Sequence, residues 1–527
     1  MVVVEFPTKE LVANAKQSKE KIIATLTEIG APCFEDGENI ILELTPNRPD
    51  WYSMEGVIRT LNAYYKNEIN EYNAKKSDYH VTVDPSVKTI RPFTVCAVVK
   101  GIIFTDQRIR EIVRLQEKLV GTLGRNAKKF GIGVYPLQAI EFPIKYTTMK
   151  KEEIQYVPLG YDKEMTAEEI LTIHKKGKEH GHILKDAKKY PVFLDAKNQI
   201  MCLIPIVNSA KTGKVDLETK DIFIEVSGIT IDSVLAALNI FCCACADMGG
   251  TIYEVAVKYN KKTIHCPKLK TKDMKISKKY VEKVLGIKLT NQKIKELLTK
   301  MGYHMVNETI QIPPYRADIM GPIDLVEDIA IAYGYNNFEP QIPEIYTEAK
   351  SIEDYAKIDE TIRGMGFLEV KTFLLTDKSS INKINYNGSL IEVLNPACTE
   401  FTVLRPSLIG KMLDIFGENK MKGLPQKIYE IGYVYEEGNM KKKLAFAIMD
   451  KQTNFSECRG YLQTLLKESE IEFELISGTT GWLDKLEGGK IVLKKENKEA
   501  GYFGKVDHEV LLKHGIEFAV YACEIEL

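Results

Sequence analysis

The chain has 527 residues, of which 44% are hydrophobic and 28% are charged, the usual balance of a protein that buries large cores. At roughly 100–200 residues per domain, this length predicts about three to five domains. The formal net charge of -1 does not indicate a nucleic-acid binder, although 72 Lys and Arg residues allow local basic patches.

The sequence also argues against a membrane or secreted protein. No window reaches the about 18–20 apolar residues of a membrane span, since Asn239 and Asp247 interrupt the longest apolar run, 234–248. The start Met1-Val-Val-Val-Glu-Phe-Pro has no basic leader. The ten cysteines lack the even spacings of a secreted disulfide framework. We therefore expect a cytoplasmic, reduced protein with no membrane contact.

Residues 1–75 are predicted to form a small α/β domain. Val2, Val4 and Phe6 alternate as in a strand. A helix is expected over 8–29 and a second strand over 40–44. The rigid turn 45–50 then precedes a helix that runs to about Tyr65, with Asp50 or Ser53 as its N-cap.

A polar, linker-like stretch over 75–85 leads to a central mixed domain, 88–260. Buried strands are predicted over 93–99 and 222–226, and a helix with apolar residues at helical spacing over 109–123. A strongly apolar, buried helix is predicted over 234–248.

Two groups of possible metal ligands lie in this central domain. Cys242 and Cys245 form a CxxC without a second CxxC or nearby His, so we interpret them as small buried residues. His174, His180 and His182 lie among lysines that would repel a cation, so we interpret them as part of a solvated loop.

A compact helical unit is predicted over 267–340, and a final α/β domain over 350–527. In the helical unit, Ser277 and Thr290 are expected N-caps, and a third helix is expected over 322–333. The final domain is predicted to begin with a helix over 355–365. Its predicted strands cover residues 369–374, 391–394, 427–431, 444–449 and 519–525.

The candidate metal site is a group of four acids, Asp318, Asp324, Glu327 and Asp328. The last three have the spacing i, i+3, i+4, which places them on one face of a helix. Clustered carboxylates repel each other unless a cation neutralises them, and magnesium favours such oxygen ligands. The spacing alone also fits a helix N-terminus, where acids favour the helix dipole.

The sequence around these acids resembles a known family. The runs Ile312-Pro-Pro-Tyr-Arg-Ala-Asp318 and Asp324-Leu-Val-Glu-Asp328, continuing to Asn337, resemble the helical metal-binding module of phenylalanyl-tRNA synthetase β subunits of the archaeal and eukaryotic type. The resemblance implies that Asp318, Asp324, Glu327 and Asp328 coordinate Mg²⁺.

Further motifs extend the resemblance over most of the chain. Those of the N-terminal, central and C-terminal domains include Asn47-Arg-Pro-Asp50, Lys88-Thr-Ile-Arg-Pro-Phe93, Asp221-Ile-Phe-Ile-Glu225, Asn395-Pro-Ala-Cys-Thr-Glu400 and Val403-Leu-Arg-Pro-Ser-Leu408. The family implies a multidomain α/β and α+β fold. Its parts would be a central mixed editing-like domain, the helical module and a C-terminal class II synthetase-like antiparallel-sheet domain.

The C-terminal domain lacks the motifs that bind ATP for adenylation. Residues 395–432 resemble the strands around the second class II motif, but no Gly-x-Gly-x-Gly-x-x-Arg follows them. Ala210-Lys-Thr-Gly-Lys214 is not a P-loop, since it lacks the leading Gly and the final Ser or Thr. We therefore predict no catalytic residue in this domain, and a structural or interfacial role for Arg405.

The resemblance implies that the central domain hydrolyses tyrosine wrongly attached to the tRNA. Asn208, Ser209 and the loop 131–138 are candidates for the pocket of such a site. Many relatives carry His-Asp-Leu-Asp where this chain has Tyr135-Pro-Leu-Gln138. The replacement removes an imidazole and two carboxylates, so the sequence leaves editing open and names no editing catalyst.

The predicted function is therefore that of a ligase subunit. The resemblance implies an α2β2 tetramer that attaches phenylalanine to its tRNA with ATP, in which a separate α subunit carries adenylation. Two alternatives stay open: a synthetase-derived scaffold or RNA-binding protein without ligase activity, and a standalone tRNA-ester hydrolase. The Tyr135–Gln138 replacement argues against the hydrolase.

Overall fold

The computed structural model describes residues 2–342, 355–495 and 497–527. The chain divides into two compact units, 1–342 and 343–527. Residues 350–354 of the predicted final domain lie outside the described residues. Within the described residues, no helix is long and apolar enough to cross a membrane.

The first unit begins with a three-stranded antiparallel sheet of order β1-β3-β2, packed against helices. The helix predicted over 8–29 is wrong as a single element. Lys16 takes a left-handed conformation and Ser18 caps a new helix by accepting from the Lys21 N–H, so two helices form. The elements are β1 Val2–Pro7, α1 Thr8–Ala15, α2 Lys19–Glu28, β2 Cys33–Asp36, β3 Asn39–Leu44 and α3 Met54–Lys66.

A ten-stranded mixed sheet forms the centre of the first unit. Its strands run in the order β12-β11-β10-β7-β4-β14-β5-β13-β6, and β15 pairs with β14. Two further strands form a separate small sheet. The strands are β4 His80–Val83, β5 Phe93–Lys100, β6 Phe130–Pro136, β7 Ile144–Met149, β8 Gln155–Tyr156, β9 Met165–Thr166, β10 Tyr190–Leu194, β11 Ile200–Leu203, β12 Val207–Asn208, β13 Ile222–Gly228, β14 Thr251–Lys258 and β15 Thr263–Cys266.

Five helices accompany this sheet: α4 Asp106–Gly121, α5 Ala167–Ile173, α6 Lys175–His180, α7 Ala210–Gly213 and α8 Ile231–Asp247. Helix α8 packs on β5 and β13, and its cysteines are buried, which confirms the interpretation of Cys242 and Cys245 as core residues. The linker predicted over 75–85 is wrong, because β4 lies inside the sheet and pairs in parallel with β14 and β7.

The last part of the first unit holds a three-stranded sheet of order β16-β18-β17 and three helices. Ser277 and Thr290 accept hydrogen bonds from the first turns of α9 and α10, so both predicted N-caps are confirmed. Helix α11 has the predicted bounds. The elements are β16 Lys272–Lys275, α9 Lys278–Leu285, α10 Asn291–Lys300, β17 His304–Val306, β18 Thr309–Ile312 and α11 Pro322–Tyr333.

The second unit is built on a seven-stranded sheet of order β19-β22-β23-β27-β26-β25-β24, antiparallel except for β19 and β22. Helices α14 and α15 each pack against its strands. The elements are α12 Ala356–Gly364, β19 Leu368–Glu369, β20 Leu375–Thr376, α13 Lys378–Lys383, β21 Val403–Leu404, α14 Ile409–Glu418, β22 Gln426–Glu436, β23 Asn439–Asp450, α15 Phe455–Glu468, β24 Phe473–Ser477, β25 Leu483–Leu493, β26 Lys498–Val506, α16 His508–Lys513 and β27 Ala519–Glu526.

Three of the five predicted strands of this unit are confirmed as β22, β23 and β27. The strand predicted over 369–374 is wrong beyond Glu369, and the one over 391–394 is wrong. Leu394 is exposed and the segment makes only the isolated bridge from Glu392 to Val403, so its apolar residues do not join the sheet. Strands β24, β25 and β26 were not predicted.

A buried ion pair joins distant segments of the first unit. Arg59 of α3 pairs with Asp247 at the end of α8 and donates to the Tyr72 hydroxyl at 3.0 Å. Its guanidinium lies 3.8 Å from the centre of the Tyr315 ring. Arg59 is 4% exposed, and Asn70 and Tyr72 also donate to Asp247. Thus this one side chain contacts three stretches of the chain.

We expect Arg59→Met to lower the free energy of unfolding by about 3–5 kcal/mol, because Asp247 would stay buried without a cation. Urea denaturation of the purified protein measures the change. The matched control is Glu35→Gln, which breaks the exposed Lys19–Glu35 pair and should cost less than about 1 kcal/mol. Equal losses in both variants would contradict the prediction.

Candidate functional site

A cavity of about 980 Å³ opens beside the central sheet of the first unit. Residues of β6, β11, β12 and β13 line one side, and residues of α4, α6 and the segment 159–161 line the other. Most of the lining side chains are apolar, as in many small-molecule sites. The few polar groups inside the cavity therefore decide what it can bind.

The most deeply buried of these polar groups is Glu225, in the middle of β13. The strand is buried along its whole length, because it lies between β5 and β6, and Glu225 is its single charged residue. Glu225 pairs in register with Gly133 of β6. A Cβ at Gly133 would lie 2.6 Å from Glu225 Oε1 and 2.5 Å from the Tyr135 hydroxyl. Only glycine therefore leaves room for both polar groups.

Burial raises the pKa of Glu225 to about 7, against the smaller opposing effects of the Ser227 hydroxyl and Arg91. Ser227 Oγ lies 2.6 Å from Glu225 Oε2 and 3.0 Å from Thr94 Oγ1. Ser227 donates to the carboxylate oxygen, which favours the ionised form of Glu225 but is outweighed by burial. This serine therefore links Thr94 to the carboxyl group.

Tyr135 and Asn208 extend this polar group along the cavity. The Tyr135 hydroxyl donates to Asn208 Oδ1 at 3.1 Å, and Asn208 Nδ2 donates to the Val134 carbonyl at 3.3 Å. The loop predicted over 131–138 is wrong, since residues 130–136 form β6 and Tyr135 is fully buried. Asn208 does line the cavity, as the sequence suggested.

The cavity holds no activated nucleophile among the described residues that line it. Cys202 lines it, but burial raises the pKa of its thiol well above the ordinary value, so the sulfur stays protonated. Ser209 caps α7 by accepting from the Lys211 N–H. Chemistry in this cavity would therefore use water as the attacking group.

Two histidines near the entrance are buried, so the prediction of a solvated loop is wrong for them. His174 accepts from the Lys176 N–H through Nδ1 at 3.1 Å, and its Nε2 lies 3.2 Å from the Leu159 carbonyl. His180 is equally buried and lines the cavity, whereas His182 is exposed as predicted. His174 therefore joins the backbone at Leu159 and Lys176, two segments that line the cavity.

The four predicted magnesium ligands do not converge on one point. Arg316 donates through Nε and Nη2 to the two oxygens of Asp318, at 2.9 and 2.6 Å, and its Nη2 lies 2.7 Å from Asp328. Tyr303 also donates to Asp328. Asp318 and Asp328 thus share one buried guanidinium, which also lowers the pKa of Asp318 against the opposing effect of its burial.

The other two carboxylates have different partners. Asp324 Oδ2 accepts the backbone N–H groups of Met320 and Gly321, which makes it part of the N-terminal cap of α11. Glu327 is exposed and accepts from the Tyr335 hydroxyl at 2.7 Å. Across the described ranges, no three Asp, Glu, His or Cys residues come together as a metal site. The four-acid cage does not fit this arrangement, and magnesium binding stays a prediction.

Arg405 of the second unit is buried within its own unit. It pairs with Glu430 at 2.8 Å, donates to the Tyr433 carbonyl at 2.9 Å and also donates to Thr372. These contacts confirm the structural role predicted for Arg405.

Comparison with known proteins identifies the class of protein to which this chain belongs. The family model described as "Phenylalanyl tRNA synthetase beta chain CLM domain" matches residues 339–527, and the model of the "tRNA synthetase B5 domain" matches residues 274–335. The chain is thus a mixed α/β protein built from tRNA synthetase domains.

Full-length relatives narrow the class to one family. The chain is 36% identical to the phenylalanine–tRNA ligase β subunit of Archaeoglobus fulgidus, over 100% of this chain and 98% of that protein. It is 34% identical to the Pyrococcus furiosus β subunit, over 91% and 89%. An N-terminal fragment of the Pyrococcus horikoshii β subunit has a similar structure, with a TM-score of 0.60 and 34% identity over 63% of this chain and 99% of the fragment.

The chain therefore belongs to the family of phenylalanine–tRNA ligase β subunits, which confirms the resemblance drawn from its motifs. Sequence reasoning did not identify Glu225 as a cavity residue. One signal was present, since Glu225 is the single charged residue in the apolar run 222–226.

We expect Glu225→Gln to change how stability depends on pH. The carboxyl titrates near 4.5 when unfolded and at about 7 when folded. Its contribution to stability is therefore fully present below about pH 4.5 and is lost as pH rises through about 7. Relative to wild type, the variant should gain about 2 kcal/mol in the free energy of unfolding between pH 5 and pH 8.

Urea unfolding at the two pH values measures this difference. The exposed Glu218→Gln is the control and should follow the wild type within about 0.5 kcal/mol at both. Parallel behaviour of Glu225→Gln and wild type would contradict a raised pKa at Glu225.

Proposed function

We propose that the chain acts as the β subunit of a phenylalanine–tRNA ligase, which attaches phenylalanine to its tRNA with a separate α subunit. The observation that carries the proposal is the 36% identity over the full length of this chain and 98% of a β subunit. The sequence after residue 432 lacks a Gly-rich motif ending in Arg, so we assign ATP binding and adenylation to the α subunit. We place the assembled α2β2 enzyme in the cytoplasm.

We assign an assembly role to the second unit, as a class II synthetase-like domain without catalytic motifs. Two observations support this role. Its sheet is almost wholly antiparallel. Its buried charged side chains form ion pairs within the unit: Arg405 pairs with Glu430, and Lys443 pairs with Glu524 at 3.2 Å. We also propose four domains, over residues 1–75, 88–260, 267–340 and 350–527. Strand β4 pairs with β14 of the central sheet, which supports a start of the central domain at residue 80.

The cavity of the first unit is the proposed site of editing. The substrate is the ester that joins a wrongly attached tyrosine to the tRNA. Water attacks the ester carbonyl carbon, the bond from that carbon to the ribose oxygen breaks, and the products are free tyrosine and tRNA with its terminal hydroxyl. Because Cys202 stays protonated, no covalent intermediate is part of this scheme.

Glu225 is the proposed determinant that separates tyrosine from phenylalanine. A tyrosine ring in the apolar cavity would offer its phenolic hydroxyl to the buried carboxyl, whereas a phenylalanine ring would leave that carboxyl without a partner. Sites that hydrogen-bond a substrate hydroxyl reject analogues that lack it, because their buried polar groups lose a partner.

We assign magnesium binding to Asp324 and Glu327. Each has one carboxylate oxygen without a hydrogen bond to the described residues. Hydrated Mg²⁺ is often held by one or two carboxylates. Asp318 and Asp328 are excluded from this assignment because both already bind the buried Arg316 guanidinium.

Reconstitution with the α subunit tests the ligase proposal. We expect phenylalanine charging of tRNA only when both chains are present, because this chain lacks the ATP motifs. Charging is measured with labelled phenylalanine and purified subunits. Activity of this chain alone, or no activity of the mixture, would overturn the division of labour.

The same assembled enzyme tests editing with tyrosyl-tRNA and phenylalanyl-tRNA as substrates. The wild type should hydrolyse the tyrosyl ester faster. Glu225→Val should lower kcat/KM for tyrosyl-tRNA by about 100-fold, equivalent to about 2.7 kcal/mol, without changing the charging rate. Equal hydrolysis of the two esters by the wild type would exclude editing.

The metal assignment is tested by titrating the assembled enzyme with Mg²⁺ and measuring the heat of binding by calorimetry. The double substitution Asp324→Asn and Glu327→Gln should weaken binding at least tenfold. The control Glu296→Gln, an exposed acid of α10, should not. Unchanged affinity in the double variant would refute the assignment.

A further inference from the structure

A second cavity of the first unit, of about 610 Å³, lies where helices α1, α3, α4 and α8 meet. Its volume is in the range of small-molecule sites. It is separate from the cavity beside the central sheet, since no described residue lines both. Only Met54, Ile58 and Ala246 among its lining residues are apolar. Four helices thus present polar side chains to one enclosed space.

Two carboxyl groups of this cavity, those of Glu55 on α3 and Glu111 on α4, lack a full set of partners. Glu55 Oε2 is buried and has no hydrogen-bond partner in the described parts of the chain. Glu111 is 2% exposed, and its Oε1 accepts from Gln107 at 3.1 Å and lies 3.8 Å from Arg114. A buried acceptor without a donor costs free energy. A ligand that donates hydrogen bonds to these oxygens would therefore bind favourably.

The other charged groups that line the cavity leave a negative balance. Asp247 is already paired with Arg59. Arg108 donates to the Ile103 carbonyl at 2.8 Å, and Glu10 is exposed. With the ion pair of Asp247 set aside, three carboxyl groups and one guanidinium line the cavity. The lining therefore favours a cation over an anion.

The polar groups suit an organic ammonium better than a metal ion. Among the described residues, no three Asp, Glu, His or Cys side chains come together as a metal site. A primary ammonium carries three N–H donors and one charge. Asn14 and Asn70 use their Nδ2 groups as donors within the protein, which leaves their Oδ1 atoms as acceptors. The cavity thus offers neutral acceptors beside its two buried carboxyl groups.

The two acids also couple the cavity to pH. Burial, and then the charge of Glu111, raise the pKa of Glu55 to about 8. Burial likewise raises the pKa of Glu111, against the opposing effects of Gln107 and Arg114. Glu55 is therefore protonated at neutral pH when the cavity holds no cation. The other ionisable groups that act on this pair are Glu10 of α1, Arg114 of α4, and Cys245 and Asp247 of α8.

We propose that this cavity binds a small organic cation with a primary ammonium group, such as a short diamine, and that Glu55 and Glu111 hold the ammonium. The bound cation favours the ionised carboxylates, so Glu55 releases its proton to solvent when the ligand enters. The ligand contacts helices from the N-terminal part and from the central part of the first unit. This site is independent of the proposed ligase and editing functions.

The test titrates the full chain, free of tRNA, with 1,4-diaminobutane and measures the heat of binding. Titrations at pH 7 in two buffers of different ionisation enthalpy give the number of protons released, which should be close to one per ligand. Because the carboxyl must ionise, the affinity should rise by about tenfold from pH 6 to pH 7 and level off above about pH 8. This proton count requires no variant.

Substitutions locate the binding. Glu55→Gln should weaken it by about 10–100-fold, as expected for the loss of a charged hydrogen-bond acceptor, and should abolish the proton release. Glu111→Gln should weaken it to a similar extent. The matched control is Glu71→Gln, an exposed acid that does not line the cavity, and it should bind the diamine like the wild type.

Three results would overturn the proposal. The first is no saturable binding of the diamine by the wild type. The second is binding that Glu55→Gln and Glu111→Gln leave unchanged, which would place the diamine elsewhere on the protein. The third is displacement of the diamine by an equal concentration of Mg²⁺, which would make the cavity a site for inorganic cations.

Discussion

The guanidinium of Arg59 holds together three parts of the first unit that are far apart in sequence. It pairs with Asp247 at the end of α8 and lies against the ring of Tyr315. A buried charge is tolerated only when it is paired and hydrogen-bonded. Helix α3, helix α8 and the segment before α11 therefore have one mutual arrangement that satisfies this cation.

Arg316, which follows Tyr315 in the chain, is a second buried cation that holds the segment before α11 in place. Tyr315 contacts Arg59, while Arg316 is buried against Asp318 and Asp328. The two consecutive side chains hold the segment before α11 from both sides. The internal cation binds two of the four acids of this module, which reduces the repulsion between their carboxylates.

Glu225 is also a buried ionisable side chain, but its partners differ from those of the two arginines. Among the described residues no cation lies within ion-pair distance of it; burial raises the pKa of its carboxyl to about 7, and Ser227 donates a hydrogen bond to it. A neutral carboxyl in an apolar cavity is a hydrogen-bonding group that costs little to keep buried. The cavity thus combines apolar side chains with one deeply buried carboxyl group.

The sequence by itself determined the family, the caps at Ser277 and Thr290, the bounds of α11 and the buried character of α8, because these depend on local patterns and on motifs read in order. Only the tertiary structure decided that the polar stretch near residue 80 is a sheet strand, that Ile391 and Leu394 do not belong to one, and that Asn208 and Glu225 line one cavity. It also decided that Arg316 binds both Asp318 and Asp328. The spacing of acids along a helix shows which side chains share a face, but their charge is balanced by whichever groups the fold brings near, and those groups come from other segments of the chain.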